Sequence, residues 1–122
     1  MTDQGDISMR RQALTELINF QFPLDVLRDK LRGVPWDSAV DQVELTPAHV
    51  RHVLAEAQAG NLSSGDVSAW AELVESREDI GLSEQDSDDL REFVFEAANP
   101  EINSFGPQRY EAWIERLSAT SP

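Results

Sequence analysis

The chain has 122 residues, with 23 acidic and 10 basic side chains, no cysteine and a formal net charge of −13. Residues 1–122 fit one compact domain with disordered tails at 1–7 and 119–122, and the missing thiols exclude a disulfide framework and a zinc knuckle. No apolar run approaches the roughly 18 residues of a membrane span and no secretion signal opens the chain, which predicts a cytoplasmic protein without membrane contact.

The N-terminal part of the chain contains two predicted helices. Apolar residues recur at helical spacing in Met9–Phe20 and again in Pro23–Leu31, and Gly33 followed by Pro35 ends the second helix. In residues 36–45 the apolar positions fit neither the helical nor the strand period. For this stretch a loop or one short extended segment is as well supported as a helix, and the pattern leaves the alternatives open.

Two further helices follow, joined by a tight turn. Thr46 followed by Pro47 is typical of a helix start and Gly60 of a helix end, and the next helix begins at Ser63 or Ser64. In both helices the apolar residues repeat at i, i+3, i+4 and i+7, which predicts one buried stripe on each. The stripes are Val50, Val53, Leu54 and Ala57, then Val67, Trp70, Ala71 and Val74.

The C-terminal part begins with a predicted linker, Arg77–Asp86, rich in glycine, serine and acid. Ser87 then caps a helix that ends by Asn99-Pro100, and Gly106-Pro107 opens a last helix. Five or six short helices with short connections predict an all-α fold, an irregular helical bundle.

Negative charge is concentrated in one quarter of the chain. Residues 66–101 hold twelve carboxylate side chains against two arginines, which accounts for ten of the thirteen net negative charges. Such a field repels nucleic acid and anionic membranes and attracts a basic protein surface. The alternative interpretation is that excess acid only keeps the protein soluble.

The residues do not match the spacing of a catalytic, metal or nucleic-acid site. His49, His52 and Glu56 lie on the polar back of their predicted helix, and no second cluster completes a metal shell. The acidic stretch Glu78–Asp89 lacks the glycine and the glutamate that a calcium loop needs at its sixth and twelfth positions. No nucleophile elbow or phosphate loop is present, and the second of the paired helices has no basic residue to meet DNA. We therefore predict no enzyme activity, no cofactor, no metal and no nucleic-acid partner.

Phe95 stands out because helical spacing carries it away from the buried stripe of its helix. From Leu90, about 100° per residue places Phe95 in the arc that holds Asp88, Arg91 and Glu92. Two interpretations stay open. Another layer, such as Phe105 or the N-terminal helices, covers this side, or Phe95 is an aromatic anchor inside an acidic rim, as in many interface hot spots.

Several segments resemble a family. Residues 60–63 (GNLS), 70–81 (WAELVESREDIG), 97–103 (AANPEIN) and 113–114 (WI) resemble a group of small uncharacterised bacterial helical proteins. Some proteins of this type look like immunity partners of secreted polymorphic toxins, including contact-dependent growth inhibition systems. The resemblance covers residues 45–117, and it implies a helical fold and a toxin-binding role without any catalytic residue.

The leading hypothesis is an immunity protein that binds a basic toxin domain and covers its active site, since an acidic partner gains association rate by electrostatic steering. The alternative is a regulatory or adaptor domain of unknown partner that self-associates or binds another protein; the oligomeric state is not predicted. The predicted partner-binding residues are Asp66, Glu72, Glu75, Glu78, Asp79, Asp88, Asp89, Glu92, Phe95 and Glu96.

Overall fold

The computed structural model describes residues 3–32 and 43–120, and within them it has seven α-helices and two short strands. None of these helices is long and apolar enough to cross a bilayer. The predicted all-α bundle of short helices is confirmed, and a one-turn helix is added to it. The elements are α1 (Asp3–Ile18), α2 (Leu24–Leu31), β1 (Val43–Leu45), α3 (Pro47–Gln58), α4 (Ser64–Glu75), β2 (Ile80–Leu82), α5 (Ser87–Ala98), α6 (Pro100–Asn103) and α7 (Tyr110–Thr120), with 3₁₀ turns at Glu84–Asp86 and Pro107–Arg109.

Helix α1 begins at Asp3, six residues before the predicted start at Met9. Residues 3–7 in α1 and residues 119–120 in α7 are therefore helical rather than parts of disordered tails. The rest of both predicted tails lies outside the described residues.

The end of α1 is built around Phe20, which takes a left-handed backbone conformation with φ of 49°. The Phe20 N–H donates to the Leu17 carbonyl and the Gln21 N–H to the Glu16 carbonyl, which is the Schellman pattern of hydrogen bonds that ends many helices. The Phe20 ring stacks on Trp70 with centroids 6.3 Å apart. This stacking supports a conformation that a bulky residue rarely adopts.

Helices α3 and α4 begin and end where their capping residues predict. The Thr46 N–H donates to His49 Nδ1 at 3.0 Å, and Pro47 follows in the first turn. Ser63 Oγ accepts from the Asp66 N–H at 3.0 Å, while Asp66 accepts from the Ser63 N–H at 2.9 Å. These capping boxes satisfy backbone donors that the helices cannot.

A two-stranded parallel sheet joins two segments that are distant in the sequence. Strand β1 pairs with β2 so that Val43 lies opposite Ile80 and Leu45 opposite Leu82. The extended segment predicted within residues 36–45 is confirmed at Val43–Leu45, and residues 36–42 lie outside the described chain. The prediction that Arg77–Asp86 is only a linker is wrong, because β2 lies within it.

The core forms where α4 packs along α5 and α3 packs along α7. Trp70, Phe93 and Trp113 are its largest fully buried side chains. Trp70 Nε1 donates to the Leu17 carbonyl at 2.6 Å, so the buried indole N–H is satisfied. Phe93 meets Trp113 edge-on, with ring centroids 5.4 Å apart. Helix α5 is thereby fixed between α4 on one side and α7 on the other.

Candidate functional site

Asp79, which the sequence places on the acidic surface, is buried. Its side chain is 0 % exposed and accepts from Arg10 Nε at 3.0 Å and from Arg77 Nε and Nη2 at 3.0 and 2.9 Å. Its carbonyl accepts from the Val43 N–H at 3.4 Å. A carboxylate in the interior requires such partners. The prediction that Asp79 contacts a partner is therefore wrong, because this residue connects α1, β1 and the α4–β2 turn.

Three other predicted acids of α5 are held by two arginines, one in α7 and one in the 3₁₀ turn before it. Arg116 Nη2 lies 2.6 Å from Asp89 Oδ1 and 2.8 Å from Glu92 Oε2. Arg109 donates to both oxygens of Glu96 at 2.8 and 3.0 Å. We call these five residues the paired flank of α5.

The pKa shifts within the paired flank favour the charged forms of its two glutamates and both arginines. The hydrogen bond and charge of Arg116 hold the pKa of Glu92 below its ordinary value. Burial alone would raise the pKa of Glu96, but hydrogen bonds from Arg109 and Trp113 outweigh burial and leave that pKa lowered as well. These contacts in turn raise the guanidinium pKa of both arginines. Each carboxylate thus contacts an arginine, although Asp89 and Glu92 share Arg116, and a partner would have to displace that arginine to bind the carboxylate.

The remaining predicted acids lie on α4, on the turn after it and at the start of α5. Asp66 belongs to the capping box of α4. Glu72, Glu75 and Glu78 are exposed, and they form no ion pair within the described chain. The Asp88 side chain is fully exposed and lies 3.8 Å from Arg91. These carboxylates are the part of the predicted surface that still faces solvent as negative charge.

Beside these acids, α4, β2 and α5 enclose a groove of about 280 Å³, which we call the Phe95 groove. Phe95 is 50 % exposed at its rim. Phe105 does not cover this ring, since it packs edge-on against Phe93 at 6.0 Å between centroids. The interpretation of Phe95 as a core residue is therefore wrong. The groove is lined by Val74, Glu75, Arg77, Ile80, Leu82, Arg91, Val94 and Phe95.

A second, larger concavity lies at the opposite end of α4, between the α1–α2 and α3–α4 turns. It encloses about 660 Å³, and Phe20 and Phe22 line it. Its rim carries Asp25 and Asp66 but also Arg28, so charge does not select a partner there. This concavity could not be predicted from the sequence, because the two turns that form it meet only in the folded chain.

In the histidine cluster of α3, His49 caps the helix. His49 Nδ1 accepts from the Thr46 N–H, which requires that nitrogen to be unprotonated. Burial, and then the neighbouring His52, lower the pKa of His49. In residues 3–32 and 43–120 no group of three or more His, Asp or Glu side chains has the geometry to hold a metal ion.

Comparison of the chain with family models, curated proteins and solved structures gives no significant match.

Proposed function

We propose that this chain is a protein-binding domain whose partner is basic, and that the partner is a toxin domain covered by this chain. The observation that carries the proposal is an exposed aromatic ring in the same groove as a carboxylate that forms no ion pair within the described chain. Phe95 supplies the ring, and Glu75 supplies the charge. Interfaces commonly combine a desolvated aromatic anchor with a polar rim.

The charge of the chain favours a protein partner over other macromolecules. A net charge of −13 repels phosphate backbones and anionic lipid, whereas it raises the rate at which a cationic protein meets this surface. Nuclease toxins require basic clefts to hold nucleic acid. An acidic domain of this size can cover such a cleft with about 800 Å² on each side, the area of an ordinary specific interface.

The resemblance of residues 60–63, 70–81, 97–103 and 113–114 to small bacterial helical proteins, some of which look like immunity proteins, supports the same proposal from the sequence. Residues 70–81 include the second half of α4 and the start of β2, and four of them line the Phe95 groove: Val74, Glu75, Arg77 and Ile80. An immunity protein needs no catalytic residue, only a surface that binds tightly and is ready before the toxin arrives. The rigid packing of α4 on α5 provides such a surface.

The test is capture followed by protection. A tagged chain is used to retain its partner from lysate of the native cell, and mass spectrometry identifies that partner. The toxic domain is then produced alone or together with this chain. We expect a basic partner, association that slows as ionic strength rises, and colony formation only on co-expression. A non-toxic partner, or retention of a second copy alone, would overturn the toxin proposal and favour the adaptor alternative.

A further inference from the structure

We infer that the Phe95 groove is the docking point, and that it receives one aliphatic side chain of the partner with a lysine or arginine directly beside it. This inference rests on the proposed function only in requiring a protein partner with exposed basic residues. The partner would bind at the α4–β2–α5 side of the molecule, insert one aliphatic side chain there and place a positive charge next to it.

The groove is large enough to admit a side chain of the partner. Its volume is about 280 Å³, close to the lower end of the range of roughly 300–1,000 Å³ that small-molecule sites occupy. Its floor is already ordered, because Val74, Ile80 and Val94 are each less than a tenth exposed. An aliphatic group placed there would cover the exposed Phe95 ring, and hot-spot anchors usually occupy preformed pockets of this kind.

The charges around the groove determine what stands beside that side chain. Glu75 lines the groove, and Glu72 lies one helical turn before it on α4. Arg77 also lines the groove, but its guanidinium is bound to buried Asp79. A cation next to the inserted side chain therefore gains Glu75 as a partner on the α4 side.

Arg91 determines the orientation in which the partner segment docks. Its side chain is 72 % exposed on the α5 wall, and its nearest acid, Asp88, lies 3.8 Å away. A partner cation placed at this wall would be repelled, whereas a main-chain carbonyl would accept a hydrogen bond from Arg91. The basic residue thus belongs on the α4 side and a carbonyl on the α5 side. A second copy of this chain is disfavoured as the occupant, because two chains of charge −13 repel each other.

The test uses capped pentapeptides and the isotopically labelled full chain at low ionic strength. The probe is acetyl-Gly-Lys-Leu-Gly-Gly-amide, which has a basic residue on one side of leucine only, and it is compared with the same peptide carrying alanine for leucine and with one carrying glutamate for the lysine. We expect amide chemical shifts at Leu82 and Phe95, affinity about tenfold higher for leucine than for alanine, and no binding of the acidic peptide. Equal affinity for leucine and alanine, or shifts confined to the paired flank or to the concavity near Phe22, would overturn the inference.

Matched variants separate the groove from general charge attraction. Phe95→Ala is expected to reduce affinity for the leucine peptide about tenfold while barely changing that for the alanine peptide. Glu75→Gln should weaken both basic peptides about threefold, whereas Glu92→Gln, the same charge change on the paired flank, should not. Far-UV circular dichroism verifies that each variant is folded. Equal effects of the two glutamine substitutions would contradict a docking point in the groove.

The inference and the proposed function fail in different ways. If charge changes at Glu72 and Glu75 abolish capture of the natural partner but Phe95→Ala does not, the groove is excluded and the protein-binding function stands. If the leucine peptide binds in the groove but the natural partner has no toxic domain, the toxin proposal falls and the docking point stands.

Discussion

Helix α5 separates two surfaces that are both rich in carboxylates. The carboxylates bind arginines on one surface and face solvent on the other. On the paired flank, Arg116 of α7 and Arg109 of the turn before it bind Asp89, Glu92 and Glu96 at 2.6–3.0 Å. On the other side, where α4 and β2 enclose the Phe95 groove, the exposed glutamates of α4 and its turn form no ion pair with the residues that the structure describes. The first surface holds the bundle together, whereas the second presents its charge to solvent.

The comparison shows that a count of acidic residues is a poor guide to a binding surface. An ion pair at 3 Å acts on a distant charge as a dipole, and salt screens that weak field within about 10 Å. Asp79 and the paired flank therefore contribute little long-range attraction, although they make up four of the ten predicted contact residues. The attraction of a basic partner depends mainly on the carboxylates that the chain leaves unneutralised.

The largest expected effect contrasts two phenylalanines that lie two residues apart on α5. Phe93 is 0 % exposed and packs against Phe105 and Trp113, whereas Phe95 is half exposed. Phe93→Ala should lower the free energy of unfolding by about 4 kcal/mol because it leaves a cavity. Phe95→Ala should lower it by about 1 kcal/mol, since half of the ring is already in water. Urea titration followed by circular dichroism measures both, and similar losses would contradict the separation of core from rim.

The next effect concerns the buried carboxylate. Asp79→Asn removes the buried charge that Arg10 and Arg77 share, and both guanidinium groups are themselves largely buried. We expect a loss of about 3 kcal/mol in the free energy of unfolding. Asp88→Asn is the matched control, because the same chemical change falls on a fully exposed side chain and should leave stability unchanged. A small effect at Asp79 would show that its burial is not important for stability.

A smaller, pH-dependent effect is expected at Glu96. Glu96→Gln should cost about 1.5 kcal/mol at neutral pH, because a charged hydrogen bond from Arg109 is lost. The pKa of Glu96 is lower in the folded chain than its ordinary value of 4.5, so its ionised form is favoured by folding. Its stabilising contribution is complete above pH 4.5 and is lost as the pH falls through the folded pKa. Urea titrations of both proteins at several pH values should converge at low pH; a constant difference would contradict the assignment.

The local parts of the fold could be predicted from the sequence because short-range chemistry determines them. Thr46-Pro47 and Ser63 cap α3 and α4 as their residue types indicate, and the apolar stripes of these helices are buried. Strand β2 was missed because a three-residue strand depends on its partner β1, which lies more than thirty residues earlier. Local propensity does not include that pairing.

The candidate site could be predicted only in part, for the same reason. Helical spacing placed Phe95 off the buried stripe of α5, and the structure shows its ring exposed there. Asp79 lies in an acidic run of the sequence, and nothing in that run predicts that Arg10, 69 residues earlier, binds it. Ion pairing between distant segments distinguishes a structural carboxylate from a contact residue, and such pairing appears only in three dimensions.

The smallest expected effect tests whether the paired flank can be turned into a docking surface. Arg116→Gln breaks its contacts with Asp89 and Glu92, and because these groups are partly exposed the loss should be about 1 kcal/mol or less. The variant makes the net charge −14, a change of one unit like that of Glu75→Gln but of opposite sign, and it removes the arginine that two carboxylates near α7 share. If docking needs the Phe95 groove, the leucine peptide should still shift Leu82 and Phe95, with affinity raised less than about twofold by the added charge. Binding that moves to the α7 side would show that unpaired carboxylates suffice and that the groove adds no specificity.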